Sequence, residues 1–134
     1  MNVVIDTNIL VSAFWTDMGN PHKILDMAGT DKIKVCYDHR IIAEYDYVLR
    51  RPRFKFSPCD IEVVIKMIKS KGLCVIADRC LINFTDETDR AFYEVAVKNN
   101  AYLITGNKKH YPDETFIITP ARFVEIYNDH AAKR

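Results

Sequence analysis

Apolar positions in this chain change their spacing repeatedly, and each change marks an element. Val3-Val4-Ile5 is an unbroken β-branched run, the pattern of a strand covered on both faces, over about residues 2–5. Ile9, Leu10, Ala13 and Phe14 follow at helical spacing, until Asp17-Met18-Gly19 breaks the helix. Asn20-Pro21 predicts a second helix, with Asn as cap and Pro at its first position, ending near Gly29. Over residues 32–37, Ile33, Val35 and Tyr37 alternate and predict a second strand. Asp38 opens a third helix carrying Ile41, Ile42, Tyr45, Val48 and Leu49, stopped by Pro52. Ser57-Pro58 opens a fourth with Ile61, Val64, Ile65 and Ile68, closed at Gly72. A strand over 73–76, a helix over 86–99 with Phe92, Val95 and Ala96, strands over 102–105 and 116–118, and a helix from Pro120 with Val124 and Tyr127 complete the pattern. Strands alternating with helices predict an α/β fold with a mostly parallel central sheet and helices on both faces.

Length and composition narrow this picture. At 134 residues the expectation is one domain over 1–134, large enough for a core without metal or disulfide staples. Formal net charge is +1, so nucleic-acid binding has to use a local patch and not bulk charge. The longest apolar runs fall far short of the roughly 18 residues of a membrane span. No signal-peptide pattern precedes the first strand, and the expected location is cytoplasmic. Cys36, Cys59, Cys74 and Cys80 form no C-x-x-C pair, and no histidine spacing completes a zinc site. Reduced, mostly buried thiols are expected.

The acids carry the candidate chemistry. Asp6 ends the first strand, and ligands of open α/β sheets bind outside the carboxyl ends of the strands. Asp6 also stands where it can N-cap the next helix, and the two roles are compatible. Glu44 borders the apolar stripe of the third helix, where it either projects into a cleft or pairs with Arg40 on a solvated flank. Asp86 and Asp89 share one face of a helix start, as an N-cap with dipole-favoured acids or as carboxylates converging on a cation. Leu103-Ile104-Thr105-Gly106-Asn107 is another apolar strand with a polar tip. Carboxylates without adjacent Cys or His suit a hard cation, Mg²⁺ or Mn²⁺. No G-x-S-x-G, Walker A or G-x-G-x-x-G motif is present, which argues against serine hydrolase and nucleotide-cofactor chemistry.

Basic residues gather locally: Arg50, Arg51, Arg53 and Lys55; Lys66, Lys69 and Lys71; Lys108 and Lys109. Phe54, Phe56, His110 and Tyr111 are interleaved with the first and third groups, which read either as RNA-binding residues, holding a phosphate backbone and stacking bases, or as a solvated helix end and loop. The middle group reads as the exposed face of the fourth helix.

Taken in order, Val3-Val4-Ile5-Asp6-Thr7-Asn8-Ile9-Leu10, Glu44 with Val48-Leu49-Arg50-Arg51-Pro52-Arg53-Phe54, Asp86-Glu87-Thr88-Asp89 and Ala101-Tyr102-Leu103-Ile104-Thr105-Gly106-Asn107 resemble the PIN-domain family, in particular its VapC-like toxin branch. The resemblance spans nearly the whole chain. It implies a PIN-like three-layer α/β/α sandwich and a Mg²⁺- or Mn²⁺-dependent endoribonuclease. Asp6, Glu44 and Asp89 match the family's acidic triad as catalytic residues and metal ligands; Asp86, Asn8, Thr105 and Asn107 take supporting places. Many members have aspartate where Asn107 stands, and asparagine offers a carbonyl oxygen without charge, which weakens a second metal position. The toxin branch further implies a cognate antitoxin protein and a homodimer. A housekeeping RNA-processing nuclease and a catalytically weak module binding RNA or protein are the alternatives.

Overall fold

The computed structural model describes residues 1–133. Five parallel strands form one sheet: β1 (Asn2–Ile5), β2 (Lys34–Tyr37), β3 (Leu73–Cys74), β4 (Tyr102–Ile104) and β5 (Ile117–Ile118), in the spatial order β3-β2-β1-β4-β5. Six α-helices cover both sides: α1 (Thr7–Trp15), α2 (Asn20–Gly29), α3 (His39–Leu49), α4 (Pro58–Lys71), α5 (Asp89–Lys98) and α6 (Pro120–Ala132). The predicted α/β/α sandwich is therefore present, with a sheet that is parallel throughout. Val3, Val4, Leu103 and Ile104 are completely buried, as strands covered on two faces require. Strand order reverses at β1, whose partners are β2 on one side and β4 on the other. A crevice opens outside the carboxyl ends of strands at such a reversal.

Several sequence expectations need correction. Val35, Cys36 and Tyr37 are all buried, so β2 is a two-sided core strand and not an alternating one. The N-cap of α2 is Gly19 at φ 124°, and Asn20 lies inside the helix. That φ is one an L side chain rarely adopts. β3 is only two residues long; Val75 still donates its N–H to Tyr37 O, and Ile76 beyond it is 90% exposed. α5 begins at Asp89, so Asp86 is not its cap. Only Cys36 of the four thiols is buried; Cys59 and Cys74 are exposed, and all four are free. Two 3-10 turns, Pro52–Phe54 and Lys108–His110, were not anticipated.

Residues 75–88 contain no helix or strand and are tied down by a charge network. Buried Glu94 accepts from Arg40 Nη1 at 2.8 Å and from the Cys80 N–H at 2.7 Å. Arg40 also bonds Asp38 through Nε and Nη2, and Asp38 caps α3 by accepting the Ile41 N–H. Arg90 donates to the carbonyls of Cys80 and Ile82 and pairs with Glu87. Burial alone would raise the Glu94 carboxyl, but the Cys80 N–H and Arg40 hold it below its ordinary range.

Candidate functional site

Asp6 follows β1 directly and Thr105 follows β4 directly, so the pairing of Ile5 with Ile104 sets the two side chains beside each other. Asp6 occupies the N-cap position of α1, yet its side chain makes no capping hydrogen bond. Instead Oδ2 accepts from Thr105 Oγ1 at 2.6 Å and from the Tyr111 hydroxyl at 3.1 Å. Thr105 Oγ1 in turn accepts the Asn107 N–H at 3.0 Å, which fixes the hydroxyl proton toward Asp6. Both side-chain donors fall on one carboxylate oxygen and leave Oδ1 without one.

The sequence leaves Tyr111 either as a base-stacking residue or as part of a solvated loop. It is buried, 7% accessible, and its hydroxyl also lies 3.5 Å from Asp89 Oδ1. One hydroxyl proton serves one carboxylate at a time, so Tyr111 links Asp6 to Asp89 without neutralising either. The signal available in the sequence was its type, since tyrosine joins a ring that packs to a hydroxyl that needs a partner. Burial and the two carboxylates raise its own pKa.

α3 and α5 deliver the remaining acids. The buried Tyr45 hydroxyl donates to Ile5 O, clamping α3 to the end of β1 beside Asp6. Glu44, the neighbour of Tyr45, is half-buried in the same cleft, and Asp89 is buried at the first position of α5. Asp86 closes a short turn one step earlier, accepting the Thr88 N–H and hydroxyl on Oδ1. Asp6, Asn8, Glu44, Asp86, Asp89 and Asn107 thus line one cleft of about 490 Å³. A larger cleft, about 600 Å³, lies beside Arg40 and Glu94, where the acids already have their bases; size does not select the site.

The electrostatics of the smaller cleft are unbalanced. Burial raises the Asp6 carboxyl despite its hydrogen bonds from Thr105 and Tyr111. Burial, then Asp6 and Asp86, push Asp89 up to about 6. Burial and Asp86 raise Glu44 against the pull of Arg51. Asp86 alone is lowered, by its bonds from Thr88. The imidazole of His110, 3.7 Å from Asp89 Oδ2, is largely exposed.

The basic residues divide. Arg51 and Arg53 line the cleft. Arg50 turns to Asp46 and Glu62 on the outer side of α3 and α4. Lys108 and Lys109 are exposed on the 3-10 turn that follows Asn107.

Oxygen donors dominate this cleft, as a hard cation requires. Among the described residues, no three acidic, histidine or cysteine side chains stand close enough to hold one ion between them. Asn8 Oδ1 and Thr7 Oγ1 are buried without any hydrogen-bond partner at the cleft. An orphaned carbonyl oxygen beside crowded carboxylates is the donor set a hydrated cation satisfies.

Two comparisons place the chain among known proteins. An uncharacterized protein, MJ1680, of Methanocaldococcus jannaschii is 30% identical over 133 residues, covering 97% of this chain and 83% of the relative. The PIN domain family matches residues 2–109, which takes in Asp6, Glu44, Asp86, Asp89, Thr105 and Asn107 and stops short of Tyr111. The chain belongs to the PIN-domain family, a nuclease-type fold.

Proposed function

We propose that this protein is an endoribonuclease that hydrolyses RNA phosphodiesters with a Mg²⁺ or Mn²⁺ ion held by Asp6 and Asp89, directly or through water, with Glu44 as the third acid. One observation carries the reading: Asp6 and Asp89, raised by burial, share a single tyrosine hydroxyl and have no arginine or lysine partner among the described residues. A cation relieves that excess charge. When bound, it would lower the pKa of a water and stabilise developing charge on the phosphate. The chain's own residues prepare the place. Thr105 and Tyr111 orient the Asp6 carboxylate through Oδ2, leaving Oδ1 for the ion. Asn8 Oδ1 offers a neutral acceptor to a metal-bound water. Arg51 and Arg53 supply positive charge for the phosphates of the strand. Asn107, which lines the same cleft, adds no charge there, which favours one metal position over two.

The test is cleavage of RNA in Mn²⁺, in EDTA and in Asp6→Asn. An asparagine oxygen can still accept from Thr105 and Tyr111, so the variant keeps its fold. Several kcal/mol of metal stabilisation corresponds to a loss of roughly a thousandfold. Full cleavage surviving both chelation and the substitution would overturn the reading. The resemblance to VapC-like toxins extends it to a cytoplasmic, homodimeric toxin with a cognate antitoxin protein. Growth arrest on expression, relieved by Asp6→Ala, separates that role from housekeeping RNA processing.

A further inference from the structure

Trp15 is the sole tryptophan of the chain and is 59% exposed. It ends α1 at the rim of the acid cleft, which it lines together with Phe54, Arg51 and Arg53. Indole rings are highly buried on average, whereas this one stands open at the edge of a charged cleft. The mounting of this ring is built. Trp15 meets Phe54 with centroids 5.9 Å apart at 86°, and Phe56 at 5.3 Å and 68°. Neither phenyl ring lies flat on the indole. Phe54 and Phe56 stack on each other at 5.2 Å, and Phe56 reaches Phe14 at 5.0 Å. Phe14 and Phe56 pack against the hydrophobic core. A chain of four rings therefore runs from the core to the rim and holds Trp15 in place.

Cationic groups flank the ring. The Arg53 guanidinium lies 5.0 Å from the Phe54 centroid, and Arg51 lies 5.7 Å from that of Tyr47. Arg50 is neutralised by Asp46 and Glu62, whereas Arg51 and Arg53 form no ion pair among the described residues.

The geometry points to a nucleobase seat at this rim: an unpaired base of the RNA strand stacks on Trp15 while Arg51 and Arg53 hold the adjoining phosphates. Stacking on aromatic rings beside a cationic groove is how single strands are held. A base inside an A-form duplex has both faces covered by its neighbours and cannot lie on the indole. The inference rests on the ribonuclease reading for the identity of the strand, and deepens it by naming Trp15 as the residue that seats a base beside the acid cleft.

Because Trp15 is the only tryptophan, its emission reports this seat alone. The full chain is titrated in EDTA, where no metal supports cleavage, with short single-stranded oligoadenylate and with the same strand in duplex form. Binding of labelled strand is measured in parallel for wild type, Trp15→Phe and Trp15→Ala. The expected result is a change in Trp15 emission with the single strand and not with the duplex. Trp15→Ala weakens binding by roughly tenfold or more, and Trp15→Phe by less. Thermal melting of the variants, lowered by no more than the few degrees that losing the contacts to Phe54 and Phe56 costs, checks their fold. The inference is overturned by no binding of the single strand, by unchanged emission at saturation, by equal response to the duplex, or by a folded Trp15→Ala variant that binds like wild type. Cleavage in Mn²⁺ that is indifferent to Trp15→Ala would remove this seat and leave the nuclease. Strand binding at Trp15 without any cleavage would keep the seat and remove the nuclease.

Discussion

Two acidic groups flank α5 and are built from the same residue types with opposite outcomes. Glu94 and Asp38 are buried against Arg40, with the Cys80 N–H as a further donor, and the Glu94 carboxyl is held below its ordinary range. Asp6 and Asp89 are buried against each other, with hydroxyls for donors, and both are raised. Burial opposes ionisation at each; a guanidinium in place offsets it at one and not at the other. The first group is complete within the chain and ties the 75–88 segment to α3 and α5. The second has no arginine or lysine partner among the described residues, and the largely exposed His110 lies 3.7 Å from Asp89. An acid's exposure alone would not separate them, because Glu94 is as buried as the site acids.

The sharpest test exchanges roles. Asp6→Asn should lower metal-dependent cleavage by roughly a thousandfold with little change in the denaturation midpoint, since it removes charge and keeps hydrogen bonds. Glu94→Ala should do the reverse in stability, costing about 3 kcal/mol in denaturant titration. It strands Arg40 and the Cys80 N–H, although the partial exposure of Arg40 limits the cost. A Glu94→Ala protein as stable as wild type would remove the contrast.

The two groups should also give stability opposite slopes with pH. Asp89 has a raised folded-state pKa of about 6 against an ordinary 3.8. Its favourable contribution is full below the ordinary value and is lost as pH rises through about 6. In EDTA, Asp89→Asn should abolish that loss, worth at most about 3 kcal/mol. Glu94 has a lowered folded-state pKa, so its contribution is full above its ordinary 4.5 and is lost as pH falls through the folded value. Glu94→Gln should flatten that acid limb. Slopes of the same sign at both sites, read from melts across pH, would contradict the assignment of causes.

A smaller effect is expected at Tyr111. Tyr111→Phe removes one donor from Asp6 and leaves Thr105 in place, costing about 1 kcal/mol of stability in denaturant titration. With EDTA present it should also raise the Asp6 pKa followed by carboxyl NMR, because a hydrogen bond to the charged form is lost. An unchanged titration of Asp6 would show that Tyr111 only fills space.

Much of the scaffold was legible because it follows from periodicity. The β-branched run before Asp6, the stripe Ile41-Tyr45-Val48 and the Pro-led helix starts encode their elements locally. The parallel sheet follows from their alternation. The N-cap alternative for Asp86 fails for a local reason: its carboxylate takes the nearer Thr88 N–H and hydroxyl, and the helix starts later. Tyr111 was missed because its partner acids lie far away along the chain. The division among neighbouring arginines was equally hidden. Arg50 and Arg51 are adjacent, but successive positions on a helix end face different directions, so one meets Asp46 and the other the cleft.

The sequence by itself determined the alternation of strands and helices, the apolar faces that form the core, and an acid at the end of the first strand. Those are properties of spacing between near neighbours. Only the tertiary structure decided which acids share a crevice, which of them have a base, and that a single tyrosine hydroxyl stands between Asp6 and Asp89. Charge balance at a buried carboxylate depends on groups brought near by strand order and helix packing, at separations along the chain that no local period records.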